Sequence, residues 1–243
     1  RSVADPLATH RANDIGTITV LEGVRAAGLP HLIVASSSSV YGGNTVLPKT
    51  ESLAPMPLSP YAASKLATEA YVGSYARCYG IDALTFRFFN VFGPLQAKAH
   101  DYAAVVPAFV DAALAGNPLP IHSDGKQTRD FTYVGSLVQV LVDAIERRVV
   151  HPTPVNLAFG TRVSLLELAG ALESVLGQAL PREHQPPRAG DARDTQADTS
   201  LFAQLFPAVR PVPLDAGLRH TVAWFRTGAV PGPDAGAGTT AAP

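Results

Sequence analysis

Two short runs constrain the fold most. His31–Ser36 (HLIVAS) is continuously apolar and Ala83–Val91 (ALTFRFFNV) is aromatic and β-favouring, so both read as strands covered on both faces. Between them residues 42–59, rich in proline, glycine and threonine, read as a loop, and Ser59-Pro60 opens a helix that runs to Tyr79 before Gly80. An earlier helix starts at the cap Asp5-Pro6 and keeps apolar spacing through Ile15, Ile18, Val20, Leu21 and Val24 up to Gly28. Helix, strand, helix, strand at these lengths implies right-handed crossovers, an α/β class and a parallel sheet, expected to be part of a doubly wound one. Ligands in such sheets bind beyond the carboxyl ends of the strands, which is where Ser36–Ser39 and Asn90 fall.

Beyond Gly93-Pro94 the spacing predicts a helix at about 103–115, a strand at Leu119–His122, a turn at Asp124-Gly125, and Arg129–Val134 leading into a helix to about Arg147. Val155–Phe159 reads as a strand, Ser164–Gly177 as a capped helix, residues 181–195 as a Pro/Arg-rich loop and Leu214–Phe225 as a last helix. The expected organisation is residues 1–94 as one half, 95–226 as a smaller lobe folded over it, and 227–243 as a disordered tail of small residues, Gly and Pro.

With 243 residues the chain can bury one sizeable core or two lobes around a cleft, enough for an enzyme. A net charge of −1 gives no basic footprint for nucleic acid, which leaves a small molecule as the expected partner. The single Cys78 excludes an internal disulfide framework, and none of the seven histidines falls at metal-ligand spacing, so no metal is expected and a reducing, cytoplasmic setting fits. Apolar stretches such as Val105–Leu114 are interrupted and too short to span a bilayer, so no membrane partner is expected.

The chemistry-bearing residues cluster at the first strand end. Tyr61 and Lys65 are four apart at the start of a helix, so they share a face, and an ammonium beside a phenol favours the phenolate and makes it a usable general base. The serines at the strand end can hydrogen-bond the same substrate oxygen. Alone, the pair is a weak signal, since a half-buried tyrosine and a solvated lysine are common; its weight comes from lying on these elements in this order.

With ASSSSVYG, PLSPYAASK, RFFNVFGP, DGKQTRDFTYV and RAGD…AD in place, the sequence resembles the extended short-chain dehydrogenase/reductases, and within them the NAD-dependent nucleotide-sugar epimerases and dehydratases, from Arg1 to about Arg226. The resemblance implies a Rossmann-like sheet with a nucleotide-sugar lobe. It implies that Tyr61 is the base, that Lys65 orients the cofactor, and that Ser37 bonds the sugar 4-hydroxyl while hydride leaves C4 to NAD⁺ and returns to the other face of the 4-keto sugar. It further implies Asn13, Ser36 and Phe88 at the cofactor. Ser38, Asn90, Arg129 and Arg188 would lie at the sugar and diphosphate, and Asp191 at the ribose. The arginines suit that task because the guanidinium fork matches phosphate.

Ser38 and Ser39 stand where the family's dehydratases carry an Asp-Glu pair, and serine can do neither acid nor base work at neutral pH, which favours 4-epimerisation. The start RSVADP, DYAAVV at 101–106 and GDARDTQAD at 190–198 look most like the subgroup accepting N-acetylated UDP-hexosamines, and Thr195 stands where a bulky aromatic would close the acetamido space. Two departures are His122-Ser123, in place of an aromatic-Gly pair, and Gly135, in place of an aspartate. A glycine-rich turn for the pyrophosphate and its following acidic residue are absent from the sequence. The expectations are therefore that the first half of the family's dinucleotide-binding domain lies outside this sequence, and that the isolated chain binds NAD poorly. Also by resemblance, helices 5–27 and 60–79 would form a homodimer. The competing readings are an NAD(P)-dependent reductase or dehydrogenase of a 4-keto nucleotide sugar, and a non-catalytic subunit that only dimerises.

Overall fold

The computed structural model describes residues 2–28, 31–96, 104–187 and 192–229. Asp5 caps the first helix by accepting the Ala8 amide at 2.9 Å. Helix α1 (Pro6–His10) passes through a π-helical turn, Arg11–Ile15, straight into α2 (Gly16–Ala26), where the sequence spacing predicts a plain α-helix. Strand β1 (His31–Ser37) ends in a 3₁₀ turn at Ser38–Tyr41, and α3 (Pro60–Tyr79) starts on the Ser59 cap and stops at left-handed Gly80. Asn13 Nδ2 donates to Ser64 Oγ at 2.8 Å and Thr17 meets Thr68 at 3.1 Å, so two i,i+4 rows lock α1–α2 against α3.

Strand β2 (Asp82–Phe88) stops at Phe89, and a separate β3 (Asn90–Phe92) follows, so the run read as one strand is two. The break has a local cause: the Asn90 amide donates to the Asp130 carbonyl at 3.0 Å and turns the chain out of the first sheet. Next come α4 (Val105–Leu114), β4 (Leu119–His122), β5 (Thr128–Arg129), β6 (Phe131–Tyr133) and α5 (Val134–Glu146). They are followed by β7 (Val155–Leu157), β8 (Val163–Ser164), α6 (Leu165–Leu176), β9 (Arg182–Gln185), α7 (Ser200–Leu205) and α8 (Leu214–Thr227). Ser164 and Glu167 form the capping box that starts α6. The segment expected to be a plain loop at 181–195 contains β9, paired parallel with β4, and α7 is an element the sequence spacing did not indicate. Residues 230–243, most of the expected tail, lie outside the described residues.

The main sheet has the order β1-β2-β7, all parallel, with Ser37 opposite Phe88 and Phe86 opposite Val155. Along β2 the side chains alternate: Leu84 and Phe86 join Leu137, Val140, Phe202 and Phe206 in one core, while Thr85 and Arg87 are buried on the opposite side, where Arg87 meets Glu69 of α3. A second core gathers Phe92, Phe109, Leu119, Ile121, Leu168, Leu172, Leu218 and Val222 from α4, α6, α8 and their short strands. The expected division near residue 94 is not a break in packing, since α5, β7 and α7 return to the first sheet.

The turn that follows the serines depends on Gly42, whose φ is +39° and where a Cβ would lie 2.1 Å from the Met56 carbonyl oxygen. We expect Gly42→Ala to lose about 2 kcal/mol, lowering Tm by roughly 4–8 °C. Gly43→Ala, whose Cβ would meet only the flexible side chains of Leu58 at 3.4 Å and Met56 at 3.8 Å, is expected to melt near the parent in the same calorimetric scan.

Candidate functional site

The strand alternation decides which serine faces ligand. Ser36 is buried and donates to Glu69 Oε1 at 2.6 Å, so the residue expected at the cofactor instead points into the protein. Ser37 points the other way and begins the 3₁₀ turn: its Oγ accepts the Ser39 amide at 3.2 Å and the Ser39 hydroxyl at 2.9 Å. Both bonds use its lone pairs, which leaves its own proton to be donated into the cleft it lines.

Across from it, the N-terminal turns of α3 present Tyr61 and Lys65. Tyr61 is 40% exposed and its hydroxyl has no hydrogen bond among the described residues. Lys65 Nζ donates to the Ala35 carbonyl at 3.0 Å and lies 5.9 Å from the centroid of the Tyr61 ring, while partial burial lowers its pKa. Neither side chain lines the cleft; their helix contributes Ala62 to its wall. Asn13 does not line the cleft; it braces α3 through Ser64.

The cleft, of ≈ 200 Å³ and open to solvent, is lined by Ser37, Ser38 and Ser39 together with Asn90, Arg129 and Thr195. Among the described lining residues none is a carboxylate. Arg129 is aimed by two carbonyls, its Nη1 donating to Thr128 O and Arg193 O at 2.8 Å each. Arg188 and Asp191 lie outside the described residues. Phe88 does not face this cleft; it packs on Phe86 and the α5 side of the sheet, and the aromatic lining the cleft is Phe89.

Two further residues escaped the sequence reading. Lys49 is buried in the cleft wall, with its ammonium donating to the Asn44 carbonyl and its backbone bridged to Ala197; its only sequence signal is a lysine inside a proline-rich loop. Asp130, fully buried, accepts Thr161 Oγ1 at 2.9 Å and the Ala197 amide at 3.1 Å while its carbonyl receives Asn90. One aspartate thus ties together the segments carrying Asn90, Arg129 and Thr195. An acidic residue inside a β-favouring run is the signal that could have found it.

The first 158 residues match the family model described as the NAD dependent epimerase/dehydratase family. The chain is 35% identical to the UDP-glucose 4-epimerase of Mycolicibacterium smegmatis over 93% of its own length and 72% of that protein's. The chain belongs to the NAD-dependent epimerase/dehydratase family. Among solved structures of this epimerase family, the UDP-N-acetylglucosamine 4-epimerase of Methanobrevibacter ruminantium superposes with a TM-score of 0.88 at 33% identity, over 94% of this chain and 73% of that one. The UDP-glucose 4-epimerase of Thermus thermophilus, solved with NAD, gives a TM-score of 0.84 at 31% identity, over 94% and 74% of the two chains. Like them the chain is α/β with parallel strands. The donor set fits the cofactor at its nicotinamide end: an ammonium and an unengaged phenol one helical turn apart can hold the two hydroxyls of a ribose. Among the described residues no cluster of His, Cys, Asp and Glu could hold a metal ion, and no helix is long and apolar enough to cross a membrane.

Burial pushes the Asp130 carboxyl up to about 6, against the hydrogen bonds from Ala197 and Thr161 that favour its charge. A raised folded-state pKa contributes stability that is present in full below the unfolded value of about 3.8 and is lost as pH rises through about 6. Relative to Asp130→Asn, the parent is therefore expected to lose up to about 3 kcal/mol between about pH 4 and pH 7, read as diverging stabilities in urea titrations. Parallel pH profiles for the two proteins would refute the assignment.

Proposed function

We propose that this epimerase inverts C4 of a UDP-hexose by transient oxidation, with N-acetylated UDP-hexosamines among its substrates. The observation that carries this is the make-up of the cleft: a hydroxyl donor at Ser37, the Tyr61–Lys65 pair on the helix whose Ala62 lines it, and no carboxylate in its described lining. Elimination of water across a sugar needs a separate acid and base, and Ser38 and Ser39 supply neither. The relatives' names point the same way, being 4-epimerases of UDP-glucose, UDP-glucuronate and UDP-N-acetylglucosamine.

Ser37 holds the 4-oxygen by donating its free proton, and Tyr61 as phenolate takes the 4-hydroxyl proton and later returns it. Lys65, its Nζ 5.9 Å from the centroid of the Tyr61 ring, orients the cofactor and with Tyr61 holds the nicotinamide ribose. Bound NAD supplies a two-electron acceptor that is restored within the turnover, so no net redox change results. Asn90 and Arg129, with Arg188, hold the diphosphate, and Asp191 the ribose of the nucleotide. Thr195 keeps its wall of the cleft small enough for an acetamido group.

Residues up to 94 carry the cofactor side of the site, and those from 95 to 226 mainly the nucleotide-sugar side. The large exposed side chains Leu7, Val20, Tyr71 and Tyr79 on α1–α2 and α3 suit a homodimer through these helices. The lone exposed Cys78 suits a reducing compartment and supports a cytoplasmic setting, and the net charge of −1 supports a small-molecule partner rather than nucleic acid.

The test is product analysis with NAD⁺ in large excess, because the chain is expected to bind it weakly, and either UDP-glucose or UDP-N-acetylglucosamine. We expect the 4-epimers without stoichiometric reduced cofactor, a fall of about 10²–10⁴-fold in kcat for Tyr61→Phe, and loss of the acetylated substrate alone for Thr195→Tyr. Stoichiometric reduced nicotinamide would indicate a reductase or dehydrogenase, and turnover of UDP-glucose alone would refute the acetamido reading.

A further inference from the structure

Behind the serines lies a buried polar network that the chemistry above does not use. Glu69 is two turns beyond Tyr61, next after Lys65 in the same i,i+4 row of α3. Its carboxylate accepts Arg87 Nε at 2.9 Å and Nη2 at 2.8 Å, a bidentate pair with both side chains about 95% buried. The same carboxylate oxygen that takes Nε also takes the Ser36 hydroxyl at 2.6 Å. The other end of Arg87 donates from Nη1 to Tyr41 Oη at 2.9 Å and to the Glu51 carbonyl at 3.2 Å. Tyr41 passes its own proton to Asn156 Oδ1 of β7 at 2.7 Å.

The consequence is positional. Ser36 immediately precedes and Tyr41 closes the segment Ser37–Val40, so one guanidinium–carboxylate pair grips both ends of the turn that presents Ser37. Through Glu69 the same pair fixes the depth of α3, and with it Tyr61 and Lys65. Through Arg87 it fixes β2, three residues before Asn90. We propose that Glu69, paired with Arg87, is a positioning residue that sets Ser37 against Tyr61, a role that rests on the epimerase reading of those two groups.

Stability alone does not account for such a pair. Desolvating two charges offsets most of their attraction, and apolar side chains of similar volume often stabilise a fold as well or better. What apolar packing cannot supply is a directional grip on three elements at once. Reacting groups misplaced by about 1 Å lose on the order of 10²-fold in rate.

The experiment compares the parent, Glu69→Gln, Arg87→Lys and the double replacement Glu69→Met with Arg87→Met by calorimetric melting, amide hydrogen exchange and steady-state kinetics. Two amides report on the turn: Ser39, bonded to Ser37 Oγ, and Gly42, bonded to the Ser39 carbonyl at 3.1 Å. In the folded double variant we expect both to exchange at least about tenfold faster. We also expect kcat to fall by about 30-fold or more with KM nearly unchanged, and Glu69→Gln, which keeps one acceptor oxygen for Ser36 and Arg87 Nε, to show a smaller loss. Parent exchange rates at Ser39 and Gly42 in the double variant, or a kcat that simply follows Tm, would overturn the proposal. Should the double variant not fold, Arg87→Lys decides, since it keeps the charge and removes the Tyr41 bond: faster exchange at Gly42 supports the positioning role and unchanged exchange refutes it. A parent that turns over no UDP-sugar counts against the epimerase reading, while the exchange rates still decide the role of Glu69.

Discussion

Everything in the site follows from the parallel pairing of β1 with β2. Parallel strands bring their carboxyl ends to one side, and the register that sets Ser37 opposite Phe88 also sets Ser36 opposite Arg87. The first pairing puts the serine turn beside the bend that releases Asn90. The second puts a strand-end hydroxyl beside the buried cation of the next strand. A slip of one residue would turn Ser37 inward and Ser36 into the cleft, because side chains alternate in direction along the strand. The buried Arg87, which finds both its partners only in this register, makes such a slip expensive.

Buried polar groups do in the second half what that pair does in the first. Asp130 and Asn156 have no measurable exposure, yet they sit among apolar cores. Asn156 is held on every side: its amide donates to Glu51 Oε1 at 2.9 Å, its side chain donates to the Lys49 carbonyl at 2.8 Å, and it accepts from Tyr41. Irregular loops fixed in this way can carry function, since their backbone groups are satisfied by side chains rather than by a ladder. The loop at 42–59 and the segment at 192–198 therefore keep a defined shape although neither is a helix or a sheet.

What the sequence made legible was periodic or punctuated. The strand ending in serines, the capped helices at Ser59 and Ser164 and the stop at Gly80 all follow from short-range chemistry that the structure repeats. Tyr61 and Lys65 could be placed on one face because helical spacing is fixed. Illegible were the features set by long-range partners. The end of β2 at Phe89 depends on Asp130, forty residues on, and β9 exists because β4 offers it an edge. Phe88 and Phe89 are chemically alike, so only the bend between them tells which one faces the cleft. The π-helical turn at Arg11–Ile15 has no proline or glycine inside it to announce it.

The charge of the cleft is a consequence of the same arrangement. Its described walls hold Arg129 and Lys49, and three neighbouring carboxylates among the described residues are turned away: Glu69 toward Arg87, Glu51 toward Asn156, Asp130 toward Thr161 and a backbone amide. Carboxylates committed to buried donors cannot compete for an incoming diphosphate, and they cannot serve as the acid or base of an elimination. The chemistry proposed for the cleft is hydrogen bonding from hydroxyls, attraction of an anion, and proton transfer by the phenol of Tyr61. The hydrogen-bond network that builds the walls thus also limits the reactions they can promote, and a reversible proton exchange at one sugar hydroxyl lies within that limit.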